Sequence, residues 1–232
     1  DSDESRGLGD VYKRQLNSLA EDVKYLREND KEVIIVSSGA IAMGAKDLDL
    51  DMKNMKMDMN QAVSAVGQIH LMGSFKSAFE KNEIKISQIL LTLDDTEQRR
   101  RSINARRTID TLLKLGIVPV VNENDTIATS EIRYGDNDRL ASRVAQITSA
   151  DCLILLSNIN GLYSADPSTD EDVKLINKVS EIDKDIEKMI GQSISDYGKG
   201  GMKTKIQAAK TAMLSGCHLA ITNGSIMRPV KS

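Results

Sequence analysis

Apolar residues fall along this chain in two alternating rhythms. Short, nearly unbroken apolar runs occur at 31–37 (KEVIIVS), 84–92, 117–121 and 152–156, and a further one closes the chain at 218–222. They are too short for helices and too evenly apolar for strands with one wet face, so they predict strands buried on both sides. Between them lie stretches with helical spacing: 16–29, 60–81, 94–115, 136–149, 183–190 and 200–215. Ser38-Gly39-Ala40 reads as a tight turn into a short helix, 126–134 as a β-hairpin, and 173–179 as another strand. Gly161-Leu162-Tyr163 and Asp166-Pro167 read as turns. Residues 47–59, rich in Met and Asp without clean periodicity, read as a loop rather than a methionine metal site. Strands that alternate with helices predict an α/β fold with a mostly parallel sheet covered on both faces.

Three polar clusters interrupt this pattern at informative places. The run 117–121 ends in Asn122-Glu123-Asn124-Asp125, and Gly135-Asp136-Asn137-Asp138 stands directly before a helical stretch. Each alone reads as an Asx-rich turn. Together, at a strand end and a helix start, they outline a polar cavity where open α/β sheets bind ligands. Their acceptors suit an ammonium, a metal ion, or phosphates accompanied by one. The third cluster, Gly198-Lys199-Gly200-Gly201-Met202-Lys203-Thr204-Lys205, opens a helix. Its glycines allow close backbone approach to a phosphate, and its lysines and helix N-terminus add positive potential. The order of a Walker A loop is not met.

Composition narrows the classes. A chain of 232 residues, 40% hydrophobic, can bury a full core as one large α/β domain. Net charge −3 and the lack of a basic stripe with interleaved aromatics argue against nucleic acid as a partner. Nothing approaches the roughly 20 apolar residues of a membrane span, and no signal-peptide pattern opens the chain. Cys152 and Cys217 sit far apart in apolar contexts and read as buried free thiols of a reducing cytoplasm. His70 and His218 lack metal-ligand spacing and read as structural, Arg99-Arg100-Arg101 as a solvated charge run, and no internal repeat is evident.

The strings VSSGAIAMG, SAVGQ, ILLT, NARRTID, VPVVNENDTIAT, GDND, GLYSADP and GGMKTK together resemble the glutamate 5-kinase branch of the amino acid kinase family. The resemblance runs from about Leu16 to Gly224. It implies a three-layer αβα sandwich and ATP-dependent phosphorylation of the L-glutamate side-chain carboxylate, the first step of proline biosynthesis. It also implies ATP with Mg2+ held mainly by phosphates and water, feedback inhibition by proline, and a cytoplasmic homo-oligomer without nucleic-acid or membrane partners. The same module forms half of bifunctional pyrroline-5-carboxylate synthases, and a non-catalytic glutamate- or proline-binding remnant is the reading from a different class.

By resemblance, Ser38, Gly39, Asp125 and Asn137 hold the glutamate, with Asp125 facing its α-ammonium. Ser38 could equally serve as a helix N-cap. Catalytic work falls to Lys205, which stabilises charge on the transferred phosphoryl group, and to Asp138, which orients lysine. Ser157 and Asn158 at the end of one strand, and Lys199, Gly200, Gly201, Met202, Lys203, Thr204 and Lys205, are the implied ATP contacts. The family's opening strand with K-x-G-[ST] has no counterpart here. Residues 1–15 are therefore expected to be a non-family segment before a domain at 16–232 that is incomplete at both ends. A chain lacking that strand is expected to have little activity. Asn158 stands where the family usually carries aspartate, which leaves the strength of nucleotide binding open.

Overall fold

The computed structural model describes residues 2–53, 55–128, 136–164, 173–184, 186 and 201–231. The chain divides into two compact units, one of Asp1–Ile132 with Ile226–Ser232, the other of Arg133–Ser225.

The first unit runs α1 (Ser2–Glu28), β1 (Ile35–Val36), α2 (Ala40–Asp47), α3 (Met57–Glu80), β2 (Ile86–Leu91), α4 (Leu93–Glu97), α5 (Arg99–Lys114) and β3 (Val118–Glu123). Its three strands are parallel in the order β1-β3-β2. The central strand is the solid apolar run, with Val118, Val120 and Val121 essentially buried. One core unites Leu16, Ala20 and Val23 of α1 with Leu71, Phe75 and Phe79 of α3, under Ile35, Val118 and Val120 of the sheet. Residues 226–231 return to α1, where the backbone N–H groups of Arg228 and Val230 donate to Ser18 and to the buried carboxylate of Asp22.

Two elements differ from expectation for identifiable reasons. The strand predicted over 31–37 shrinks to Ile35–Val36, with one further bond from the Ser37 N–H to the Val121 carbonyl. The Val118 N–H donates to Lys85, on the β2 side, so Pro119 faces β1 with no N–H to offer, and β1 pairing begins at Ile35↔Val120. The helix predicted over 94–115 is two helices, because Gln98 adopts an extended ψ of 113°. A capping box fixes α4: the Thr92 hydroxyl accepts the Asp95 N–H while the Asp95 carboxylate accepts the Thr92 N–H. Arg101 donates to the same carboxylate at 2.9 Å, so this arginine is ion-paired rather than simply solvated. Burial opposes ionisation of Asp95, but the Thr92 and Arg101 donors outweigh it and hold its pKa below the usual range.

The second unit contains α6 (Asp136–Thr148), β4 (Cys152–Ser157), β5 (Leu162–Tyr163), β6 (Leu175–Ile176), α7 (Gly201–Leu214) and β7 (His218–Asn223). β4 and β7 are parallel along six residue pairs, and β5 and β6 form a short antiparallel pair. Leu162–Tyr163, expected as a turn, is thus a strand, and the strand expected over 173–179 is confined to Leu175–Ile176. Ala145 of α6, Ala212 of α7 and Cys217 form a small core. Both cysteines are free, but Cys152 is exposed at the head of β4 and only Cys217 is buried. The hairpin expected over 126–134, the Asp166-Pro167 turn and most of the 183–190 helix fall outside the described residues. Among the described residues, no helix is long and apolar enough to cross a membrane.

The closest approach in the first unit is between α2 and α3. A Cβ on Gly44 would stand 1.9 Å from the Val63 carbonyl oxygen, and one on Gly67 would stand 1.7 Å from the Ala40 carbonyl oxygen. Two glycines let the helix backbones touch, and His70 beside Asp47 (3.2 Å) ties the far end of α2. Gly67→Ala cannot be relieved by a side-chain shift, because the clash is with backbone. It should destabilise the protein by about 3 kcal/mol or more. Gly73→Ala, in the same helix with open space around it, should be neutral or stabilise by roughly 0.5–1 kcal/mol. Thermal melts of the two variants make the comparison, and equal shifts would contradict this account of the contact.

Candidate functional site

In the first unit, the site residues gather at the carboxyl end of the parallel sheet. Ser38 and Gly39 follow β1, with Gly39 at φ +101°, a left-handed conformation suited to glycine, where it precedes α2. Ser38 makes no side-chain cap to α2, so its alternative reading as an N-cap is set aside. Both residues are exposed. Asp125 lies in the turn after β3, only 7% exposed, and its Oδ2 accepts the Ser64 hydroxyl at 2.6 Å. Asn122, 2% exposed, donates its Nδ2 to Gln68 Oε1 at 2.8 Å, and Gln61 donates to the Ala128 carbonyl at 3.0 Å. Gln61, Ser64 and Gln68 are spaced i, i+3, i+7, one face of α3. That face grips the segment 122–128 at three points. Each bond satisfies a polar group whose burial would otherwise cost about 1–3 kcal/mol.

In the second unit, Asn137 and Asp138 stand on the first turn of α6, and Met202, Lys203, Thr204 and Lys205 on the first turns of α7. The two helix starts meet through one carboxylate. Lys205 Nζ lies 3.1 Å from Asp138 Oδ2 and 3.3 Å from Oδ1, and the Thr204 hydroxyl donates to Oδ2 at 2.9 Å. The Lys205 and Asp138 side chains are 12% and 17% exposed, so the ion pair is partly withdrawn from solvent screening. Asn137 Oδ1 is buried without a hydrogen-bond partner among the described residues. Ser157 ends β4, its hydroxyl 3.4 Å from Asn158 Oδ1, and its carbonyl accepts the Gly224 N–H at 2.8 Å. Asn158 is exposed. Gly201 opens the backbone of α7, whereas Lys199 and Gly200 fall outside the described residues.

The first unit offers a buried carboxylate after β3 and a glycine turn after β1, and the second offers a lysine held by an aspartate at two helix starts. A model described as the amino acid kinase family matches residues 2–223. The chain belongs to the amino acid kinase family. It is 60% identical over 221 residues to a glutamate 5-kinase of Pelagibacter ubique, covering 95% of this chain and 60% of that protein. A glutamate 5-kinase of Paramagnetospirillum magneticum is 51% identical, with 97% of this chain and 60% of the relative covered. The chain thus spans about three-fifths of the length of these curated relatives. An isopentenyl phosphate kinase of T. acidophilum superposes with a TM-score of 0.61 at 14% identity, covering 92% of this chain and 82% of the other. At that identity the likeness speaks for the fold alone. The α/β architecture expected from the sequence, a three-layer αβα sandwich with a mostly parallel sheet, is the amino acid kinase fold.

Asp138 and Lys205 lie in contact, while the sequence reading did not include Ser64, Gln68 or the Thr204 bond to Asp138. The first two carried a legible signal: polar residues at helical spacing within an otherwise apolar helix. If the Ser64 hydroxyl holds Asp125, Ser64→Ala should cost about 1.5–3 kcal/mol, a charge-assisted bond. Most of that cost should vanish when Asp125 is already alanine. A double-mutant cycle read by thermal unfolding measures it, and additive effects would mean the two residues act independently.

Proposed function

We propose that this member of the amino acid kinase family is a glutamate 5-kinase, which transfers the γ-phosphoryl group of ATP to the side-chain carboxylate of L-glutamate. The observation that carries the reading is the half-shielded Asp138–Lys205 pair between two helix starts. A fixed lysine there supplies the positive charge that phosphoryl transfer demands, since such transfer needs alignment and electrostatics more than covalent help. The relatives that share half or more of its residues, and bear the name glutamate 5-kinase, support the same assignment.

In this reading Asp125 receives the α-ammonium of glutamate, and Ser38 and Gly39 present hydroxyl and N–H groups to a carboxylate. Asn137, whose side-chain carbonyl oxygen has no hydrogen-bond partner among the described residues, is a further glutamate contact. Ser157, Asn158 and the segment from Lys199 to Lys205 attend the nucleotide. The side-chain carboxylate, ionised at neutral pH, attacks the γ-phosphorus without a general base. An O–P bond forms to glutamate as the bond to the bridging oxygen breaks and ADP leaves. Both oxygens of the Asp138 carboxylate already accept hydrogen bonds from Lys205 and Thr204. This donor set suits a Mg2+ that arrives on the phosphates and keeps waters. When bound, Mg2+ neutralises phosphate charge. Feedback by proline, a homo-oligomeric state and a cytoplasmic location belong to the same reading.

Three expectations test it. A panel of L-glutamate, L-aspartate, N-acetylglutamate and UMP as acceptors, read by ADP release, should single out L-glutamate; preference for another acceptor would overturn the assignment. Asp125→Asn should raise the glutamate KM by about 10- to 100-fold, the equivalent of a charge-assisted contact of roughly 1.5–3 kcal/mol, with little change in the ATP KM. Lys205→Ala should lower kcat by about 100-fold or more while glutamate affinity, followed by calorimetry, changes little. Equal loss in both quantities would place Lys205 in substrate binding instead.

A further inference from the structure

We propose that Thr204 is a positioning residue that fixes the Asp138 carboxylate, and through it the ammonium of Lys205, in the orientation used for phosphoryl transfer. The inference rests on the kinase reading above and gives the Thr204 hydroxyl a role beyond the segment's part in attending the nucleotide. A single lysine does not fix a carboxylate. The terminal torsion of aspartate is broad and two-fold, and an ammonium bonds equally well over a range of rotations. At this site Lys205 Nζ is nearly equidistant from the two oxygens, 3.1 and 3.3 Å, so the ion pair by itself leaves the carboxylate rotation loosely defined. The Thr204 hydroxyl breaks the tie. It donates to Oδ2, at 2.9 Å, from a β-branched side chain with restricted χ1.

Position within the helix reinforces the point. Thr204 and Lys205 are consecutive residues of α7 and lie about 100° apart around its axis. Both reach the same carboxylate on α6. Two anchors from adjacent positions define the plane of the carboxylate, and that plane defines where Nζ sits. The carboxylate is 17% and the lysine 12% exposed, so little solvent is present to take over the role of a lost hydroxyl. Displacing a charged group by a fraction of an ångström costs catalysis far more than binding. The consequence is specific: the hydroxyl, not the bulk, of residue 204 should govern turnover.

The test compares Thr204→Val, which keeps shape and removes the hydroxyl, with Thr204→Ser, which keeps the hydroxyl. Both are measured in the native polypeptide with glutamate and ATP. Valine is expected to lower kcat by about tenfold or more, with both KM values within about threefold of the parent, while serine retains at least about half of the parent kcat. A second readout needs no activity. The rate of Lys205 acylation by acetic anhydride, followed by peptide mass spectrometry, should rise several-fold in the valine variant and stay near the parent rate in the serine variant. Parent-like kcat and labelling in Thr204→Val would overturn the proposal. So would a rise confined to the ATP KM, which would make Thr204 a nucleotide contact. A parent protein that fails to phosphorylate glutamate while Lys205 labelling still responds to valine would instead discard the glutamate reading and leave the positioning role standing.

Discussion

The backbone contact between α2 and α3 at Gly44 and Gly67 is the constraint on which the first unit's site depends. Any side chain at either position would push the helices apart, since a Cβ there would fall less than 2 Å from a carbonyl oxygen of the other helix. With the helices in contact, the start of α2, where Gly39 turns the chain, is held at a fixed height against α3. The same helix then presents Gln61, Ser64 and Gln68 to the segment 122–128. One helix therefore positions both arms of the candidate substrate site: the glycine turn through its backbone, and Asp125 through its hydroxyl face. The absence of two side chains does more here than the presence of any.

In the proposed reading the second unit solves a different problem, holding the Lys205 ammonium where its charge can act on a phosphate. A carboxylate bound to lysine alone would compete with an incoming phosphate for that charge. Lys205 and Thr204 share the acceptor capacity of this carboxylate, which under the proposal leaves the ammonium oriented toward a ligand. Partial burial of the pair raises the value of each interaction, because the local dielectric is lower than in water. Among the described residues the Asn137 oxygen beside it has no hydrogen-bond partner, and in the proposed reading a ligand completes that bond.

Several deviations from the expected elements follow from backbone chemistry that hydropathy does not register. A run of seven strand-like residues yielded a two-residue strand because Pro119 faces it without an N–H. A continuous helical pattern over 94–115 broke at Gln98, where the Thr92–Asp95 capping box and the Arg101 ion pair fix a short separate helix. Arg101 read as solvated because the sequence does not announce that Asp95 will lie within reach.

The sequence by itself determined the alternation of buried strands and helices, and with it the α/β class, since unbroken apolar runs and a period of 3.6 are local properties of consecutive residues. It also determined that Asp125 follows one strand and that Asp138 and Lys205 lie at helix starts, because acceptors after apolar runs and glycine-lysine segments before helices are written in order along the chain. Only the tertiary structure decided which of these groups share a bond. Asp138 and Lys205 are 67 residues apart and Ser64 and Asp125 are 61 apart, and no local periodicity encodes a contact across such distances. Those pairings are set by how closely helices can pack, which at Gly44 and Gly67 is a matter of atoms that are missing, and by which buried polar groups must find partners once water is excluded.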